Sequence, residues 1–132
     1  MATKTGDLSP EAAPRLLVVE DNALIAMDLE EILKSYGCQV VGPSVSVREA
    51  LSKLDDEDID VAVVDYQLAD GTAASLTKVL DERGIPYAIC TGTSEDTISS
   101  LYPNTPILGK PYNSEDVSMV VNSLIAARLA SV

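Results

Sequence analysis

The sequence predicts an α/β fold, a doubly wound five-stranded parallel sheet wrapped by helices, and three observations lead there. Short runs of β-branched and small apolar residues recur along the 132-residue chain, stretches with helical spacing separate them, and acidic, hydroxyl and amine side chains fall at their carboxyl ends. Near-continuous apolar strands mark a sheet covered on both faces. Strands that alternate with helices imply parallel neighbours joined by right-handed crossovers. The length suits one domain with a real core and is short for two.

Residues 1–14, MATKTGDLSPEAAP, carry charge and small residues without an apolar h-region, so they are expected to form a flexible N-terminal extension, with the domain over 15–132. The first strand is LLVVE at 16–20. Ile25, Leu29, Ile32, Leu33 and Tyr36 then recur at helical intervals, and Gly37 is a natural stop. CQVVG at 38–42 reads as the second strand. Ser46 and Glu49 form an S-x-x-E capping box for a second helix, with Val47, Leu51 and Leu54 facing inward.

VAVVD at 61–65 is the third strand, and DDEDID at 55–60 before it reads as a solvated loop. Leu76, Val79 and Leu80 define a third helix ending at Gly84, and YAICT at 87–91 follows as the fourth strand. SEDTISSLYPN at 94–104 is polar and weakly periodic, which predicts one helical turn or none, a short or irregular fourth helix. PILG at 106–109 is the fifth strand. The last helix starts at Asn113 and presents Val117, Val120, Val121 and Leu124 to a core, with Tyr112 and Val117 at hydrophobic-staple positions.

Composition removes several functions. Twenty-one acidic against nine basic residues give a net charge of -12, which repels phosphate backbones and anionic lipid heads, so neither nucleic acid nor membrane is an expected partner. No apolar run approaches the roughly 20 residues of a membrane span. Cys38 and Cys90 lie in apolar surroundings and predict reduced, buried thiols in the cytoplasm. Histidine is absent, which removes the commonest general base and zinc ligand. Walker-type and dinucleotide-type glycine loops are absent too.

Working sites of open α/β sheets lie outside the carboxyl ends of the strands. Here those ends deliver Glu20 and Asp21, Asp65, Thr91, and Lys110 before Pro111. Crowded carboxylates raise one another's pKa unless a cation compensates them. Mg²⁺ suits such a set, because it takes oxygen ligands and commonly only one or two carboxylates. Lys110 adds a second positive charge, and it is the only lysine or arginine between residues 84 and 127. Asp65 is then placed to act as a nucleophile toward phosphorus, with metal and lysine on the equatorial oxygens and Thr91 hydrogen-bonded to another.

With LLVVEDN, VAVVD, the CTG around Thr91 and LGKPY in this order and spacing, the chain resembles the receiver domains of two-component response regulators over roughly residues 15 to 130. The resemblance implies the flavodoxin-like strand order 2-1-3-4-5. It also implies Asp65 as phosphoacceptor, Glu20 and Asp21 beside it on Mg²⁺ with the main-chain carbonyl of Gln67, Thr91 as switch hydroxyl and Lys110 as phosphate-stabilising lysine. A cis bond between Lys110 and Pro111 is expected on the same ground. The phosphodonor would be a sensor histidine kinase or a histidine phosphotransfer protein.

Departures from the family pattern are informative. Ile107 stands where many receivers carry an aromatic switch residue, Ala69 replaces a common proline, and only 19 steps separate Thr91 from Lys110. Together with the TG after the fourth strand, these features resemble the FAT GUY subgroup of stand-alone receivers, which work with HWE-type histidine kinases. Two other functions compete. A haloacid-dehalogenase-like phosphatase also forms an aspartyl phosphate, but it needs an aspartate two residues after the nucleophile, where this chain has Gln67. A phosphorylation-independent scaffold is supported by Ile107 and opposed by the complete acid, hydroxyl and lysine set. Turnover of a small molecule is not expected.

Overall fold

The computed structural model describes residues 13–92 and 95–130. The expected N-terminal extension therefore lies, as far as residue 12, outside the described residues. Five strands, β1 (Arg15–Val19), β2 (Gln39–Ser44), β3 (Val61–Asp65), β6 (Tyr87–Thr91) and β7 (Ile107–Gly109), form one sheet in the order β2-β1-β3-β6-β7. Every pairing in it is parallel. Counted within the sheet, this is the 2-1-3-4-5 order that the sequence resemblance implied.

Alternation along the strands divides the core into two layers. Leu16, Val18, Val61 and Val63 pack with Leu29 and Leu33 of α1 (Ala23–Ser35) and with Val117, Val121 and Leu124 of α5 (Ser114–Ala130). Leu17, Val19, Ala62 and Val64 pack on the other face with Ala50 and Leu54 of α2 (Val47–Asp56), Leu76 and Leu80 of α3 (Ala74–Glu82) and Ile98 of α4 (Glu95–Leu101). Both cysteines are buried and free. Ala26 is buried in α1, whereas Tyr36, which recurs at helical spacing with Leu29 and Leu33, is exposed and bonds the Ser114 hydroxyl at 3.0 Å.

Several expectations needed correction. β2 does not stop at Gly42 but runs on to Ser44, past a cis Gly42–Pro43 bond, with a register shift against β1. Proline is tolerated there because β2 is an edge strand. Gly42 has φ 102°, and a Cβ on it would lie 2.8 Å from the Val18 carbonyl, so only glycine fits this close approach. The extension lets the Ser44 carbonyl accept the Glu20 amide at 2.8 Å and fixes the chain where β1 ends.

The capping box of α2 is only half closed, since the Ser46 hydroxyl accepts the Glu49 amide at 3.1 Å while Glu49 Oε1 reaches the Val45 amide at 3.4 Å. The 55–60 segment is more than a solvated loop. Asp55 and Asp56 end α2, Arg15 pairs with Glu57 at 2.6 Å, and the Arg15 amide donates to Asp60 at 2.9 Å. α4 is short, as expected, but spans seven residues rather than one turn or none. Gln67–Leu68 (β4) and Gly71–Thr72 (β5) form a small antiparallel pair that the sequence pattern did not announce.

Candidate phosphoacceptor site

Parallel strands place all their carboxyl ends at one rim, and the β3–β6 register sets Asp65 opposite Cys90, one residue before Thr91. Asp65 is the last residue of β3 and is 5% exposed; Glu20, just past β1, is 1% exposed. Asp21 beside it is exposed. Carboxylate oxygens of Glu20, Asp21 and Asp65 lie within 4.8 Å of one another. Thr91 ends β6 and is buried, and its carbonyl accepts the Lys110 amide at 3.1 Å, which ties the β7 exit to the same rim.

Lys110 closes the cluster. Its Nζ lies 2.8 Å from Glu20 Oε1 and 2.8 Å from Asp65 Oδ2. The Lys110–Pro111 bond is cis. Burial alone would push the Lys110 ammonium down, but hydrogen bonds and charge from Asp65 and Glu20 outweigh it and hold the group above the ordinary lysine range. The Asn22 amide donates to Glu20 Oε2 at 3.1 Å, while Asn22 Oδ1 caps α1 through the Ile25 amide at 3.1 Å. The Gln67 amide stands 3.4 Å from Asp65 Oδ1, so the peptide following the acid runs beside its carboxylate.

All the side chains expected at the site, Glu20, Asp21, Asp65, Thr91 and Lys110, thus occupy one rim. One participant was missed. The Tyr112 hydroxyl donates to Glu20 Oε1 at 3.2 Å, and the Cys90 thiol is hydrogen-bonded to the same phenol. Burial pushes the Cys90 thiol up to about 12 and raises the Tyr112 phenol as well. The only signal in the sequence was the final tyrosine of LGKPY, which also fits a helix staple.

The flank toward α4 is built differently. Ile107 is half-buried against the α2–α3 layer, and the aromatic contribution comes from Tyr102, just after α4. Its ring meets Tyr66, the neighbour of Asp65, edge-on at 6.1 Å, and Tyr87 at 6.4 Å. Its hydroxyl lies 3.0 Å from Thr77 Oγ1.

The family model described as "Response regulator receiver domain" matches residues 16–119. The phyllosphere-induced regulator PhyR of Methylorubrum extorquens is 28% identical over 123 residues, which are 90% of this chain and 46% of that protein. Among solved structures, SdrG of Sphingomonas melonis Fr1 is 34% identical, with a TM-score of 0.75, over 89% of this chain and 97% of that one. PhyR of Brucella abortus is 31% identical, with a TM-score of 0.80, over 90% of this chain and 50% of that one. The chain spans about half the length of the PhyR proteins it matches. It belongs to the response regulator receiver domain family.

Proposed function

We propose that this chain is a phosphorylated receiver that takes a phosphoryl group from a partner phosphohistidine onto Asp65. The observation that carries this is the Lys110 ammonium, 2.8 Å from both Asp65 and Glu20 at the carboxyl ends of the strands. A carboxylate oxygen of Asp65 attacks phosphorus in line, the P–N bond to the donor imidazole breaks, and the imidazole leaves with the bonding pair and takes up a proton. Lys110 then turns to the equatorial oxygens of the new acyl phosphate, and Thr91, on the neighbouring strand end, approaches another.

The residues present fit Mg²⁺. Their donors are all oxygens, and octahedral ligands at about 2.1 Å stand roughly 3 to 4 Å apart, so the acid trio needs little contraction. Glu20, Asp21, Asp65 and the Gln67 carbonyl would hold the ion, which supplies positive charge against the transferred phosphoryl oxygens. Position 67 holds glutamine, which argues against a phosphatase that protonates a leaving alcohol from there.

The donor is a sensor histidine kinase or a histidine phosphotransfer protein, approaching beside α1, whose Leu24 and Met27 are exposed. Among the described residues no helix is long and apolar enough to cross a membrane. A cytoplasmic place, residues 15–132 as the functional unit and readout through the segment from Thr93 to Asn104 belong to the same proposal. Work with an HWE-type kinase belongs to the same proposal, and the TG after the fourth strand and the 19 steps from Thr91 to Lys110 support it.

Phosphoramidate with Mg²⁺ tests the acceptor without a partner protein. The unaltered chain is expected to gain one hydroxylamine-sensitive phosphoryl group by mass spectrometry. Asp65→Asn should gain none while melting as a folded protein. Label retained in that variant overturns the assignment.

A further inference from the structure

Glu20 is a carboxylate with almost no access to water, so its charge depends on the donors around it. Among the described residues these are the Asn22 amide on Oε2, and Lys110 Nζ together with the Tyr112 hydroxyl on Oε1. These donors are not equivalent. The Asn22 amide is fixed by the backbone, and Lys110 is shared with Asp65. If Lys110 turns toward a phosphoryl group on Asp65, Oε1 keeps Tyr112 among the described residues.

We propose that Tyr112 is a positioning residue, whose hydroxyl holds the Glu20 carboxylate in its metal-binding orientation independently of Lys110. The proposal rests on the phosphoacceptor reading above and deepens it. Tyr112 follows the cis Lys110–Pro111 bond and immediately precedes Asn113, whose side chain accepts the Glu115 amide at 2.8 Å at the start of α5. Its C-terminal neighbour is thus fixed. The ring packs against the α1–α5 layer, and the Cys90 thiol bonds the phenol from the adjacent strand. The phenol is a donor at neutral pH, since an ordinary tyrosine titrates only at about 10.

Hydrogen-bond partners behind a metal ligand typically carry about 10- to 100-fold in metal affinity. Tyr112→Phe keeps the ring and removes only the donor. Calorimetric titration with Mg²⁺ should therefore give a dissociation constant raised by about tenfold, with the metal-free melting midpoint close to that of the unaltered chain. Saturating Mg²⁺ should restore the rate of phosphorylation by phosphoramidate, so that the half-saturating concentration changes and the maximal rate does not. In a Glu20→Gln background the same Tyr112→Phe change should no longer affect Mg²⁺ binding, because its route is gone.

An unchanged affinity for Tyr112→Phe overturns the proposal, as does a loss of affinity that persists in the Glu20→Gln background. Failure of the parent reading looks different: the unaltered chain would then bind no Mg²⁺, or Asp65→Asn would keep its label.

Discussion

The two flanks of Asp65 are built from different interactions. Toward β1 and the β7–α5 connection, short polar contacts saturate it, with Lys110 and Tyr112 on one oxygen of Glu20 and Lys110 again on Asp65. Toward α4, among the described residues, the contacts include ring edges, Tyr66 against Tyr102 and Tyr102 against Tyr87, a hydroxyl pair between Tyr102 and Thr77, and the Tyr87 hydroxyl on Asp81. Directional charge-assisted bonds fix one geometry. Aromatic edge contacts are weaker, and a seven-residue helix has little stability of its own. The first flank is therefore the more tightly fixed of the two, and the second the looser.

Removing the charge from the polar flank should have the largest effect. Lys110→Met leaves two buried carboxylates facing each other without a cation, and breaking such a pair typically costs about 3–5 kcal/mol. Added Mg²⁺ should recover much of the loss in melting midpoint, since it replaces the missing positive charge. The unaltered chain adds a pH signature. Because the folded Lys110 sits above its ordinary value, its stabilisation is complete below about 10.4 and is lost as pH rises through the raised value. Alkaline melts of Lys110→Met should lack that loss, and an identical alkaline profile would show that the ammonium does not hold the cluster together.

The polar flank was also the more legible of the two in sequence. Parallel strands must put Glu20, Asp65, Thr91 and Lys110 at one rim, so the apolar runs sufficed to bring those residues together. What escaped was contact over long separations. The Tyr112 hydroxyl meets a carboxylate 92 residues away, and a tyrosine at a staple position reads equally well as apolar filling. The run of β2 past Gly42–Pro43 was hidden because proline normally ends a strand, and only the edge place of β2 makes it admissible. Arg15 gathers Glu57 and the Asp58 carbonyl, partners that periodicity does not see. On the α4 flank, polar sequence concealed a helix that tertiary contacts through Ile98 and Tyr102 support.

Tyr102 sharpens the contrast. Tyr102→Ala removes both ring contacts and the Thr77 bond, and for a half-buried ring the loss should be about 2 kcal/mol, below the range for fully buried aromatics. Amide exchange should accelerate over 95–101 while β1 and β3 stay protected, since local opening follows local packing. Phosphoramidate labelling of Asp65 should stay within about twofold, as expected of sites without shared partners. Labelling that collapses with α4 would mean the flanks are one cooperative unit.

The smallest expected effect lies between the flanks, at the turn joining β4 and β5. Asp70 accepts the Val47 amide at 2.8 Å and the Arg48 amide at 3.2 Å, so a side chain from another part of the chain caps the first two amides of α2 while Ser46 takes the third. These backbone bonds, the Val47 one foremost, hold the Asp70 carboxyl below its ordinary value. A lowered folded pKa means that the contribution is present above about 3.9 and disappears as pH falls through the depressed value. Asp70→Ala should therefore lower the melting midpoint slightly at neutral pH, and the difference from the unaltered chain should vanish in acid. Because the β4–β5 hairpin starts two residues after Asp65, the same variant should loosen the peptide at Gln67, read as faster amide exchange there. Exchange at Gln67 unchanged beside a lower midpoint would confine Asp70 to capping α2 and leave the two flanks without a bridge at this turn.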